Sequence, residues 1–318
     1  MKLATFEANG APAVGAVIEH DATVVDLQRA DRARHGTNGT SQTALASMQA
    51  LIEAGPEGLA AVAELIEQAD EGSRRPLAET RLLAPLPVPA QIRDFLCFER
   101  HLLNSFAQAE KLTGERREIP AIWYEQPIYY KANRFSVVGP EHDVVWPAYS
   151  AVMDYELELA CVIGAGGHDI SSEDAGSHVF GYTIFNDASA RDAQLVEMAG
   201  QLGPAKGKDF DTGNVLGPWI VTADELGNGS GLTMVARVNG EEWSRGSSAD
   251  MHHRFEDVIA FVSRSETLHP GEVLGSGTVG TGCGLELGRF LSSGDVVELE
   301  IEGIGVLRNR FVRSDDDG

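Results

Sequence analysis

Asp154-Tyr155-Glu156-Leu157-Glu158-Leu159-Ala160 sets an acidic group at every second position of a segment whose intervening residues are large and apolar. In an extended strand, side chains two apart share a face, so Asp154, Glu156 and Glu158 line one wall while Tyr155, Leu157 and Leu159 face a core. Carboxylates held this close raise one another's pKa unless a cation stands between them, and an all-oxygen set suits a hard divalent ion. The same alternation also describes an amphipathic strand with one solvated face, so the surrounding sequence has to decide.

Downstream, Gly181-Tyr182-Thr183-Ile184-Phe185-Asn186-Asp187 has a strand pattern and Ala188-Ser189-Ala190-Arg191-Asp192-Ala193-Gln194 a helical composition. Asp187 therefore falls near the carboxyl end of a strand where a helix begins, a place that commonly holds ligands. If the helix starts at once, Asp187, Arg191 and Gln194 are spaced by four and three and share a face. The alternative is an N-capping Asp with an Asp–Arg helix pair.

The chain has 318 residues, enough for one large domain with an appendage or for two. Three prolines at alternate positions in Leu83-Ala84-Pro85-Leu86-Pro87-Val88-Pro89 stiffen the chain into an extended connector and place a boundary there: a small leading domain over 1–82 and the main domain over 83–318. The leading part reads as α/β, with strands near Leu3–Phe6, Val14–Ile18 and Val24–Leu27, a polar loop over Ala33–Gln42, and helices near Thr43–Ala54 and Gly58–Ala69. Beyond the prolines, short β-branched runs between Gly and Pro turns predict a β-rich domain, so the class is α+β.

A formal charge of -23, from 48 acidic against 25 basic residues, argues against nucleic acid or an anionic membrane as partner. No stretch reaches the apolar length of a membrane span, and Glu7 comes too early for a signal peptide, which makes the cytoplasm the default location. Cys97, Cys161 and Cys283 are widely spaced and predict reduced, mostly buried thiols. Only five of the 25 cations are lysines, which draws attention to Lys206 and Lys208 in Leu202-Gly203-Pro204-Ala205-Lys206-Gly207-Lys208-Asp209-Phe210.

The Tyr155–Ala160 and Gly181–Asp192 segments, their separation, and the later Gly294-Asp295-Val296-Val297-Glu298-Leu299-Glu300-Ile301-Glu302-Gly303-Ile304-Gly305-Val306-Leu307-Arg308-Asn309 together resemble the fumarylacetoacetate hydrolase family over residues 84 to 312. The resemblance implies a mixed β-sandwich roll after the leading domain, commonly as a homodimer. It implies one Mg²⁺, Mn²⁺ or Ca²⁺ ligated by Glu156, Glu158 and Asp187. Asp94-Phe95-Leu96-Cys97-Phe98-Glu99-Arg100-His101-Leu102-Leu103-Asn104 is similar to the fumarylacetoacetase branch, in which an Asp that ligates or flanks the metal precedes a catalytic His by seven residues. Acylpyruvase-like members usually carry an apolar residue at the Asp94 position and a Glu at the Asn104 position.

By the same resemblance Glu286 orients His101 as a base toward water, a role that needs a carboxylate to fix the imidazole tautomer. Lys208, with Lys206 as fallback, meets the substrate, as do Arg191, Gln194, Tyr130 in the doubled Tyr129-Tyr130, and Thr278. The implied activity is metal-dependent hydrolysis of a carbon–carbon bond in a small anionic 1,3-diketo acid or acylpyruvate. The alternative is an isomerase, decarboxylase or hydratase of a 2-oxo acid enolate in aromatic-compound degradation. Gly275-Ser276-Gly277-Thr278-Val279-Gly280 matches GxGxxG, but the glycines at 282 and 284 leave no helix to follow, so a dinucleotide site is not expected. His252-His253, His142 and His168 read as solvated.

Overall fold

The computed structural model describes residues 1–36, 43–114 and 116–314. Most of the polar 33–42 loop and the acidic tail Asp315–Asp317 lie outside the described residues, although Ala33 to His35 close the helix Leu27–His35 rather than a loop. That helix is N-capped by Asp26, whose carboxylate accepts the Arg29 amide.

One large mixed sheet forms the spine. From one edge inward, Arg74–Pro76, Thr23–Asp26, Ala11–Ile18 and Lys2–Ala8 run antiparallel, and Lys2–Ala8 then pairs with Asn214–Thr222. The sheet continues through Val179–Asp187, Leu157–Ile163, Glu272–Gly275, Gln91–Phe95 and Tyr129–Lys131. The leading segment thus extends the same sheet that carries the acidic strand. A second sheet orders Glu241–Ser247, Thr233–Val238, Val296–Ile301, Gly305–Arg313 and Val144–Trp146.

Alternation along Leu157–Ile163 feeds two cores. Leu157, Leu159, Cys161 and Ile163 join the cluster shared with Val297, Leu299 and Ile301 of the second sheet, whereas Ala160 and Val162 join Leu51, Ile52 and Val62 from the helices Met48–Glu53 and Gly55–Glu67. Each fully buried Leu or Ile contributes roughly 1.5–3 kcal/mol. Every residue of this strand is buried, so its acidic face is not solvated: Glu158 points to the helix-covered side with no accessible surface.

Register gathers chemistry at one end of the sheet. Gly275 lies opposite both Asp94 and Ala160, Asp94 opposite Tyr130, Glu158 opposite Phe185, and Asp187 opposite Asn214. The strand Val179–Asp187 does not run straight into a helix: Ser189 and Ala190 pair with Met153 and Asp154, and the helix Arg191–Met198 starts after them with Ala190 at its N-cap and no capping side chain. Asp187 is therefore not a helix cap.

Candidate active site

Asp94, Glu158 and Asp187 reach this point from three strands, and one oxygen from each lies within 4.8 Å of the others. Asp94 Oδ1, Glu158 Oε1 and Asp187 Oδ1 are buried without a hydrogen-bond partner. A buried unpartnered oxygen on each of three clustered carboxylates is costly unless something positive meets them. Space is kept for it by Gly275, where a Cβ would stand 2.4 Å from Asp94 Oδ1 and 2.9 Å from Glu158 Oε2. This donor set fits a hard divalent cation.

Charge around the cluster is divided unevenly. Burial, then the Asp187 charge, pushes the Asp94 carboxyl well above the ordinary range, and burial with the Asp94 charge does the same to Glu158. Burial also raises Asp187, against the opposing pull of Lys208. Glu156 behaves differently: burial would raise it, but Lys208 and then Arg191 hold it well below the carboxylate range. Lys208 Nζ donates to Glu156 Oε2 at 2.6 Å and to Asp187 Oδ2 at 2.5 Å, while Arg191 Nη2 donates to Glu156 Oε1 at 2.7 Å. Glu156 thus stands beside the three-carboxylate cluster with both oxygens already engaged.

Arg191 also donates from Nη1 to Gln194 Oε1 at 3.0 Å, so the i,i+3 pair meets as the spacing implies, although Asp187 does not join it. The remaining face of Arg191 goes to Asp154, Nε to Oδ2 at 2.8 Å. Asp154 in turn accepts the amides of Gly284 and Leu285 at 2.7 and 2.9 Å, which fastens the short helix Gly284–Leu287. Of the two tyrosines, Tyr130 faces the site and donates its hydroxyl to Asp187 Oδ2 at 2.7 Å, whereas Tyr129 packs on Phe95. Lys206 is exposed over the Tyr149 ring and takes no part.

The helix Gly284–Leu287 presents Glu286, which is buried and not a surface acid. Its Oε1 lies 2.8 Å from His101 Nδ1, and its Oε2 accepts Asn104 Nδ2 at 2.8 Å and the Thr281 amide at 2.6 Å. His101 and Asn104 share a face of the helix Glu99–Thr113 with Gln108, which donates to the Glu286 carbonyl at 2.9 Å. A carboxylate only accepts, so in the neutral imidazole Nδ1 carries the proton and Nε2 keeps the lone pair. Thr278 is buried in the turn whose Gly277 amide donates to Glu158 Oε2 at 3.2 Å. No helix follows that turn until residue 284, which removes the dinucleotide context.

The 191–208 segment is knotted to itself. Glu197 accepts the successive amides of Ala205, Lys206 and Gly207, each at 2.8 Å, and a Cβ at Gly207 would lie 2.6 Å from that of Gln194. Gln194 and Lys208 are thereby held in fixed relation. Glu197 and Gln108 carry no sequence signal that separates them from ordinary surface residues. The reading of His252-His253 as solvated is corrected for His253, which is buried with Nε2 2.7 Å from the Trp123 carbonyl while His252 stacks on the Trp123 ring. His142 and His168 are exposed, and all three cysteines are buried and free.

Buried carboxylates and a buried His–Glu pair on a strand-rich α+β scaffold define a site of the kind that metal-dependent enzymes use. The chain belongs to the fumarylacetoacetate hydrolase family: the model for the fumarylacetoacetate (FAA) hydrolase C-terminal region matches residues 92–312. It is 32% identical over 321 residues to the oxaloacetate tautomerase YisK of Bacillus subtilis, covering 98% of this chain and 100% of that protein. It is 41% identical over 189 residues to the human mitochondrial oxaloacetate tautomerase FAHD2A, a match that spans 60% of the human protein. The maleylpyruvate hydrolase of Sphingobium sp. SYK-6, solved with manganese(II) and pyruvate, superposes with a TM-score of 0.72 at 25% identity, covering 98% of this chain and 99% of that one. No helix among the described residues is long and apolar enough to cross a membrane.

Proposed function

We propose that the protein is a divalent-metal-dependent enzyme that binds a 2-oxo dicarboxylate and moves a proton at the carbon beside its carbonyl, interconverting keto and enol forms of an oxaloacetate-like acid. The observation that carries this reading is the His101–Glu286 pair, buried and pre-oriented next to three orphaned carboxylate oxygens. The end-to-end similarity to a tautomerase supports it. Asp94, Glu158 and Asp187 would hold Mg²⁺ or Mn²⁺, and such an ion, when bound, polarises the oxygens of a 2-oxo acid.

The residues of the chain then divide the work. Toward the enol, Nε2 of His101 accepts the proton from the substrate carbon and the enolate oxygen takes a proton from solvent; toward the keto form the imidazolium protonates the carbon and the oxygen's proton goes to solvent, with Glu286 stabilising the imidazolium through Nδ1. Asn104 and the Thr281 amide hold Glu286 against rotation. Lys208 and Arg191 place fixed positive charge where the substrate oxygens gain negative charge. Glu156 keeps both cations in place, and its own recruitment to a metal requires the Lys208 or Arg191 pair to open. Catalysis is assigned to residues 83–318, with 1–82 as a supporting unit.

A second reading, hydrolysis of a carbon–carbon bond in an acylpyruvate or 1,3-diketo acid, is favoured by the same His101 base, which is equally placed to activate water, and by the similarity to the maleylpyruvate hydrolase. One experiment separates them. Wild type and His101→Ala, each with EDTA and then with Mg²⁺ or Mn²⁺, are assayed for enol-to-keto conversion of oxaloacetate and for loss of a panel of 1,3-diketo acids. Metal-dependent ketonisation without diketo cleavage supports the tautomerase, cleavage that collapses in His101→Ala supports the hydrolase, and neither reaction in wild type sinks both.

A further inference from the structure

A second cluster of different chemistry lies beside the oxygen-only one. His101, Cys283 and Glu286 are buried, and one ligating atom from each lies within 4.8 Å of the other two. Nδ1 of His101 is 2.8 Å from Glu286 Oε1, Cys283 Sγ is 3.6 Å from that same oxygen, and Sγ is 4.0 Å from Nδ1. A tetrahedral zinc with bonds of about 2.0–2.3 Å to nitrogen, oxygen and sulfur holds such atoms roughly 3.3–3.5 Å apart. Side-chain shifts of about 0.5 Å therefore convert this triangle into one face of a zinc tetrahedron. Glu286 keeps Oε2 on Asn104 and Thr281, so a cation at Oε1 displaces only the contacts of that oxygen with His101 Nδ1 and Cys283 Sγ.

Ligand softness separates the two clusters. Carboxylates alone suit magnesium, calcium or manganese, whereas imidazole with thiolate selects zinc and its spectroscopic substitute cobalt. We propose that His101, Cys283 and Glu286 form a second metal site, specific for a borderline-soft divalent ion such as Zn²⁺, and that its occupation silences the His101 base.

Proton accounting gives the reason for silencing. Zinc at Nδ1 takes the position of the proton shared with Glu286, so the neutral imidazole keeps its single proton at Nε2. Zinc at Sγ displaces the thiol proton to solvent, one proton released per ion. With Nε2 protonated, His101 has no lone pair for substrate or water. The binding half of the proposal is independent of which reaction the enzyme performs, and only the silencing half rests on the His101 role above. Cys97 and Cys161 belong to no comparable cluster among the described residues.

The test uses the full chain with its oxygen centre saturated by Mg²⁺ and is read first without substrate. Co²⁺ is titrated and then displaced by Zn²⁺. One equivalent of Co²⁺ is expected to give a near-ultraviolet thiolate-to-cobalt charge-transfer band. Cys283→Ser is expected to lose that band and to weaken Zn²⁺, measured against a chromophoric chelator, by at least about tenfold. His101→Asn supplies the second arm should Cys283→Ser not fold: it retains the thiolate and loses the imidazole, and Zn²⁺ is again expected to weaken at least tenfold. No thiolate band in wild type, a band unchanged in Cys283→Ser, or Zn²⁺ affinity unchanged in His101→Asn overturns the site. Zn²⁺ bound at this site with activity intact overturns the silencing alone.

Discussion

Two groups of buried acids sit side by side in this molecule and are treated in opposite ways. Asp94, Glu158 and Asp187 each keep one oxygen without a partner, whereas Glu286 has both oxygens engaged by His101, Asn104 and Thr281. An unmet buried acceptor is a demand for a ligand from outside the chain; a fully met one is a device for holding a neighbour still. In the metal-free chain the first group keeps those oxygens without partners, and the second is closed on the histidine.

Breaking the first group should produce the largest effect. Glu158→Ala is expected to abolish divalent-metal binding by calorimetry and to lower kcat/KM by about a thousandfold, near 4 kcal/mol of lost stabilisation. Breaking the second group should leave Mg²⁺ at the oxygen cluster in place: His101→Gln is expected to lower kcat by roughly 10²–10⁴-fold with Mg²⁺ affinity unchanged. If His101→Gln also lost the metal, the two groups would not be separate devices.

pH sharpens the same contrast. Asp94 and Glu158 have folded-state pKa values raised above the unfolded ones, first by burial and then by neighbouring carboxylates. Over the interval between the unfolded and raised folded values, the native state binds more protons than the unfolded chain, so these groups make the metal-free protein lose stability as pH rises. A cation replaces those protons. The gain in Tm on adding Mg²⁺ or Mn²⁺ is expected to grow from mildly acidic to mildly basic pH in differential scanning calorimetry; a gain that shrinks with pH would contradict the raised values.

The smallest effect is expected at Glu197, which touches neither group but fixes the segment that links Gln194 to Lys208. Glu197→Ala should raise KM about fivefold, close to 1 kcal/mol, with kcat less affected and partial rescue by Glu197→Gln. Equal falls in kcat and kcat/KM would place its role elsewhere.

The strand through Glu158 was legible because period-two alternation is a property of neighbouring residues, but the segment is not one strand: Asp154 ends Met153–Asp154 in a separate small sheet, Glu156 makes an isolated bridge with Cys283, and Leu157–Ile163 follows. Tyr130 was singled out over Tyr129 only through the resemblance, since the residues alone leave the choice to register with Asp94 across the sheet. His253 escaped for the same reason: a polar neighbourhood in sequence places it in water, and only the fold brings the Trp123 carbonyl and ring to it. Glu156 was legible as a carboxylate on the wall, but its engagement with Lys208 and Arg191 depends on side chains 52 and 35 residues away. The helix expected from residue 43 begins at Met48, where Ser47 caps it by accepting the Ala50 amide, a local signal within the broader helical composition.

The pairing of Lys2 and Leu3 with Val221 and Ile220 has a consequence for solubility. Without the leading segment, that end of the Asn214–Thr222 strand would be a bare and largely apolar sheet edge, open to pairing with another molecule. The first strand covers that edge at Val221 and Ile220. A chain that dispensed with it would have to blunt the edge by other means, such as a charge, a bulge or a covering loop.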